Sequence, residues 1–207
     1  MEEIFDGVPE RKLHKGQILI YEGDAVRNIY RLMKGYVKVS YIQPNGSHRT
    51  IIIYGPEDLF PLVSFLSGSG ITRYFYECMT NVELQVMPHQ SFQDKIRGDL
   101  ELGEKLITYS YTISLQFAER IEVLSAHSSR HKVASLLSYL AAKTGRDDKG
   151  QVRLDIPLTS QGIADMCGLT RETASVQLQQ LKEEGVISGR RNLSLDMRKL
   201  DKLLKQQ

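Results

Sequence analysis

From Thr170 to Gln179 the chain carries side chains suited to the edges of nucleobases: Arg171, Glu172, Ser175, Val176 and Gln179. The major groove of duplex DNA admits one α-helix, whose N-terminal residues touch the bases. An arginine fork fits O6 and N7 of guanine, a carboxylate accepts from N4 of cytosine, and a valine covers the methyl of thymine. Ser160, Thr170 and Thr173 add hydroxyls and helix-terminal amides of the kind that hold backbone phosphates. The chemistry on offer is recognition of double-stranded DNA rather than bond breaking.

Such residues need a helix-turn-helix to present them. Thr159 or Ser160 caps a first helix through Ile163, Ala164 and Met166 to Gly168, where a glycine lets the backbone reverse. Leu169 plugs the turn, and Thr170 caps a second helix from Arg171 to Glu184, stopped by Gly185. At about 100° per residue, Ala174, Leu178 and Leu181 share the side to be buried, and Glu172, Val176, Gln179 and Glu183 lie opposite. Val186-Ile187, Gly189 to Asn192 and Leu193 to Leu195 read as a hairpin wing with Arg190 and Arg191 at its tip, near phosphates. Asp196 to Leu204 closes the chain as a short helix. The alternative is a helical hairpin that docks a protein, in a ligand-binding or interaction module.

The remainder of the chain must hold this segment. At 207 residues, with 41% hydrophobic and 25% charged, it has room for one or two domains and enough apolar side chains to fold. Residues 1–126 carry 13 Lys+Arg against 16 Asp+Glu, and residues 127–207 carry 14 against 9, so the positive charge lies on the C-terminal side. Gln17 to Tyr21, Asn28 to Met33, Tyr36 to Ile42, His48 to Tyr54, Arg73 to Cys78 and Val82 to Met87 read as short strands. Asn45-Gly46 predicts a type I′ hairpin turn, and the set predicts a sandwich or barrel. From about Leu100 the period becomes helical, with two apolar stripes. Leu102, Leu106, Tyr109 and Ile113 would lie on the β-domain; Ile107, Ser110, Ser114, Phe117, Ile121 and Leu124 have the heptad rhythm of a helix facing its twin, or else widen a single stripe. Gly145 to Gly150 reads as a plain turn.

Taken together, the chain resembles the CRP/FNR superfamily of bacterial transcription regulators over nearly its whole length. The resemblance rests on Lys15-Gly16, Glu22-Gly23-Asp24, Gly35-Tyr36-Val37-Lys38-Val39 and Gly55-Pro56-Glu57-Asp58. It rests further on Arg130 to Leu137 and, most specifically, on Leu169-Thr170-Arg171-Glu172-Thr173. It implies an α+β architecture: an N-terminal β-roll of jelly-roll, cyclic-nucleotide-binding-like type (residues 1–98), a long dimerisation helix (99–126) and a C-terminal winged helix-turn-helix (127–207). It also implies a homodimer on a roughly palindromic promoter site, RNA polymerase as a partner, and Arg171 and Glu172 as base readers. Val176 departs from the arginine that many members carry there, so the operator is expected to differ from the familiar consensus.

The effector side departs further. Where cyclic-AMP binders have Gly-Glu and then Arg-Ser/Thr-Ala, this chain has Phe60-Pro61-Leu62-Val63-Ser64 and Thr72-Arg73-Tyr74, so cyclic AMP is not expected. Arg73, Tyr74 and Phe117 mark a candidate effector pocket, with Phe65, Tyr76 and Tyr109 as further lining for an apolar molecule, haem or nothing, the alternative for Arg73 being a plain strand-surface residue; the cofactor is left unassigned. The N-terminal cysteine cluster of oxygen-sensing relatives is absent. His127 and His131, four apart, could share a helical face, but no carboxylate lies between them and Arg130 repels a cation, so no metal is expected. No nucleophile has a base at a recognisable spacing, which argues against an enzyme. The start lacks a secretion signal and no apolar run would span a membrane, so the cytoplasm is the expected compartment.

Overall fold

The structure, a computed structural model, describes residues 2–68, 70–148, 150–190 and 192–205. They form two compact units, Met1–Tyr41 with Ile51–Gln116, and Ile42–Thr50 with Phe117–Gln207.

The first unit is built from β1 (Glu10–Leu13), β2 (Ile18–Ile20), β3 (Asn28–Lys34), β4 (Val37–Ile42), β5 (His48–Tyr54), β6 (Leu59–Phe60), helix α1 (Leu62–Leu66), β7 (Phe75–Cys78), β8 (Val82–Pro88), α2 (His89–Gly98) and the start of α3 (Leu100–Ser125). The strands form two four-stranded sheets, ordered β1-β8-β3-β6 and β2-β7-β4-β5. The period-2 alternation legible in β4 and β8 turns Val37, Val39, Val82 and Leu84 inward. Between the sheets, Phe60 stacks at 5.5 Å on Tyr30, 5.2 Å on Tyr54 and 5.6 Å on Tyr76. This aromatic stack fills the interior of the roll, and each ring contributes on the order of 1 kcal/mol beyond its buried area.

One sequence expectation is corrected here, and two elements are added that the sequence reading left unassigned. The turn after β4 is not type I′. Gly46 N–H donates to Gln43 O at 2.8 Å, Gln43 N–H donates to Ser47 O at 2.9 Å, and only Gly46 has a positive φ. Pro44, whose ring fixes φ, takes the second position of a type I turn, and Gly46 supplies the left-handed step that closes the hairpin. Residues 89–98, unassigned by periodicity, are helix α2, which begins directly after Pro88 and buries Phe92 against Phe5 and Phe65. Strand β1, Glu10–Leu13, carries no apolar alternation because it is a sheet edge.

The second unit contains α4 (Ser129–Thr144), β9 (Gly145–Asp148), β10 (Gln151–Leu154), α5 (Ser160–Cys167), α6 (Arg171–Glu183), β11 (Ile187–Ser188), β12 (Ser194–Leu195) and α7 (Met197–Leu204). Its sheet has the order β11-β12-β10-β9. The segment 145–150, expected as a plain turn, instead opens a hairpin: Gly145–Asp148 pairs with Gln151–Leu154, and Arg146 forms an ion pair with Asp155. Backbone pairing to Val152 and Leu154 outweighs the polar composition of the first strand. The long helical stretch is also broken, since α3 ends at Ser125 and Ser128 caps α4 by accepting from His131 N–H at 3.1 Å. His127 therefore precedes the cap and does not share a helical face with His131. Among the described residues no cluster of three metal-ligating side chains occurs.

Candidate nucleic-acid interface

Helix α5 begins where Thr159 Oγ1 accepts from Gly162 N–H at 3.0 Å, which selects Thr159 over Ser160 as its cap. It ends at Gly168, whose φ of 67° is left-handed, while Leu169 N–H donates back to Ala164 O at 3.0 Å. Two residues later Thr170 Oγ1 accepts from Thr173 N–H at 3.2 Å and opens α6. Ala174 and Leu181 are fully buried and Leu178 is half-buried, as the helical period requires. The opposite face is open: Arg171, Glu172, Ser175, Val176 and Gln179 are all exposed, Val176 by 53%.

Each predicted contact except Arg191 can be located. Thr170 is exposed; Ser160 and Thr173 are half-buried at the two helix starts. Gln179 Nε2 donates to Glu183 Oε1 at 2.9 Å, which engages one of its two amide N–H groups in the free protein. Arg190 is exposed on the wing between β11 and β12; Arg191 lies outside the described residues. The fold brings Ser160, Ser175, Gln179 and Arg190 together around one depression of about 250 Å³ between α5, α6 and the wing. Lys182 lines the same depression and was missed by sequence reasoning. Its signal was available: eleven residues on from Arg171, it returns to the same helical face. Arg171, Ser175, Gln179 and Lys182 thus form one polar stripe along α6.

The base of α6 is secured by charge. Arg130 Nη2 donates to Glu184 Oε2 at 2.5 Å, and the guanidinium holds that carboxyl below its usual range. Lys199 Nζ donates to Glu184 O at 3.1 Å, where a cation suits the negative end of the helix.

On α3, Leu106 and Ile113 are buried, and Tyr109 accepts Leu59 N–H at 2.6 Å while its hydroxyl donates to Asp58 Oδ1 at 3.3 Å. This is the stripe expected to lie on the β-domain. Of the other predicted seam, Ile107, Ser114, Ile121 and Leu124 are exposed, while Ser110 and Phe117 are half-buried. The exposed row runs Leu100, Ile107, Tyr111, Ser114, Ala118, Ile121, with the spacing 7, 4, 3, 4, 3; Tyr111 and Ala118 are not part of the seam expected from the sequence.

Of the predicted effector residues, Arg73 is exposed and Tyr74 half-buried in the first unit, and Phe117 is half-buried in the second. Phe65 packs edge-on against His89 and Phe92, Tyr76 lies in the aromatic stack, and Tyr109 is committed to Asp58 and Leu59. Each of these three rings thus has packing or hydrogen-bond partners of its own. Pro61 and Leu62, at the place where cyclic-AMP binders carry a ribose-binding carboxylate, are both buried and neither carries a charge, which does not fit cyclic AMP.

The chain is similar to two known domain types. A cyclic nucleotide-binding domain matches residues 10–99 and a Crp-like helix-turn-helix domain matches residues 131–204. The global nitrogen regulator of Synechococcus elongatus is 26% identical over 178 residues, covering 86% of this chain and 80% of that protein. The transcriptional activator protein FnrL of Cereibacter sphaeroides is 25% identical, over 86% of this chain and 72% of its own. The structure of FixK2 from Bradyrhizobium japonicum superposes with a TM-score of 0.81 at 21% identity, covering 95% of this chain and 96% of that one.

Proposed function

Because the chain belongs to the CRP/FNR superfamily of DNA-binding transcription regulators, we propose that it acts as a homodimer on a pseudo-palindromic promoter site. Each protomer places α6 in the major groove of one half-site, about 34 Å from its twin. The observation that carries this reading is the open, capped face of α6, on which Arg171, Glu172, Ser175, Val176 and Gln179 are all exposed. Thr170, Thr173, Ser160, Arg190 and Arg191 supply the phosphate contacts. The row Ile107, Tyr111, Ser114, Ala118, Ile121 supports pairing of two copies of α3, since an apolar heptad row left in water is costly.

The division of labour is a sensing roll (1–98), a joining helix (99–126) and a DNA-binding module (127–207). A signal in the roll alters how the two long helices pair, and an effector shifts that equilibrium only by its differential affinity for the two arrangements. Arg73, Tyr74 and Phe117 are the candidate effector contacts; the effector is unassigned, and cyclic AMP is not expected. RNA polymerase is the partner that turns occupancy into altered transcription. No helix among the described residues is long and apolar enough to cross a membrane, and a reader of promoters works where the DNA is, in the cytoplasm. No catalytic step belongs to this reading.

Selection of duplexes from a random-sequence pool, followed by gel shifts at two salt concentrations, tests it. A two-fold-related site bound with steep salt dependence is expected; failure to enrich any sequence overturns it. A Soret band after haem addition would instead assign the effector as haem.

A further inference from the structure

Arg120 is an arginine placed where an apolar residue would be expected. It lies on α3, only 4% exposed, and burial weakens its hold on the proton. Its Nη2 donates to Met166 O at 2.6 Å and to Thr50 O at 3.3 Å, and its guanidinium carbon lies 5.4 Å from the centroid of the Tyr139 ring. Four elements thereby meet at one side chain: α3, strand β5 at Thr50, α4 at Tyr139 and α5 at Met166.

The location on α5 matters most. Met166 O is among the last carbonyls of α5, which have no partner within the helix and carry its negative end. A buried guanidinium is matched to that end in charge, and its Nη2 alone reaches both carbonyls while the planar group lies against the Tyr139 ring. The next residue, Cys167, directs its Sγ to Lys132 O at 3.5 Å, so the end of α5 is tied on two sides. Gly168 then turns, Thr170 caps α6, and Arg171 begins the reading face, all within five residues of the bonded carbonyl. A shift at Met166 is carried through this short, hydrogen-bonded turn to the base-reading side chains.

We propose that Arg120 is a positioning residue for DNA recognition: it clamps the end of α5 to α3 and β5 and so fixes the direction in which α6 is presented. A buried charge is a poor device for stability alone, because a well-packed apolar residue of similar volume is often neutral or stabilising. Its use is geometric. Two carbonyl acceptors and a ring face define one orientation of α5, which an apolar contact would leave free to slide.

The inference rests on the DNA-binding reading, and its test separates the two. The unchanged protein selects a duplex from a random-sequence pool; Arg120→Met and Arg120→Lys are then compared with it on that duplex and on a scrambled one. Arg120→Met is expected to keep its far-UV circular dichroism. It should bind the selected duplex at least about ten-fold more weakly with little change on the scrambled one, and return a different half-site spacing when selection is repeated. Its amides from Cys167 to Arg171 should exchange faster. Arg120→Lys, whose ammonium keeps the charge but lacks the planar face set against Tyr139, should fall between. A folded Arg120→Met with unchanged specificity ratio, spacing and exchange overturns the clamp. If Arg120→Met does not fold, Arg120→Lys decides by the same readouts. Should the unchanged protein select no duplex, the DNA-binding reading fails, and exchange from Cys167 to Arg171 alone judges the clamp.

Discussion

The hydroxyl oxygen of Thr170 lies 2.9 Å from that of Thr173 while it accepts the Thr173 backbone N–H at 3.2 Å. One side chain thus sets the first turn of α6 and with it the direction of Arg171. Thr170→Ala leaves that N–H without its cap and should lower unfolding stability by about 1 kcal/mol. Thr170→Ser should restore most of it, as measured by urea denaturation. An alanine variant as stable as the unchanged protein would show that the cap contributes nothing.

Arg171→Ala should weaken binding to the selected duplex by about 1 to 3 kcal/mol and relax the preference at one base position. Affinity for scrambled duplexes should change far less. Equal losses on both would move Arg171 from base reading to phosphate contact.

Arg190→Ala and Arg191→Ala should behave differently from Arg171→Ala. Each should weaken all sequences alike and reduce the slope of log affinity against log salt by about 1. Lys182→Ala, on the rim shared with Arg190, should follow the same pattern. Fluorescence anisotropy over a salt series distinguishes the two classes.

Ile107 and Ile121 are 72% and 63% exposed. Ile107→Glu together with Ile121→Glu should place like charges in the proposed seam, yield a monomer by sedimentation, and abolish two-half-site binding while single-half-site contacts persist weakly. A dimer undisturbed by both changes would relocate the interface.

Both cysteines are buried, and burial pushes the thiols up to about 11 for Cys78 and about 12 for Cys167. A thiol held above its unfolded value stays protonated and unreactive at neutral pH. Ellman's reagent at pH 8 should therefore react with the native protein only at the rate of opening, and with both thiols at once in denaturant. Fast labelling of either cysteine in the folded state would contradict the packing around it.

Much of the recognition module was legible in the sequence because its determinants are local. Thr159, Gly168, Thr170 and Gly185 act on the turn that contains them, and the 3.6-residue period sorts Ala174 and Leu181 from Val176 and Gln179 without reference to the rest of the chain. The strands from Asn28 to Met87 were legible for the same reason, through their period of two. What was not legible depends on partners distant in sequence. The Gly145–Asp148 strand exists because Gln151–Leu154 pairs with it, and Lys182 matters because the wing brings Arg190 beside it. Phe65, Tyr76 and Tyr109, alike as aromatic residues, were parted by packing on Phe92, on Phe60 and on Asp58. Arg120 is the extreme case: as a letter it is one more exposed helical arginine, and only the convergence of Thr50, Tyr139 and Met166, residues up to 116 positions apart, buries it. Local conformation is set by short-range sterics and hydrogen bonds written in consecutive residues, whereas burial and the pairing of charges belong to the folded chain as a whole.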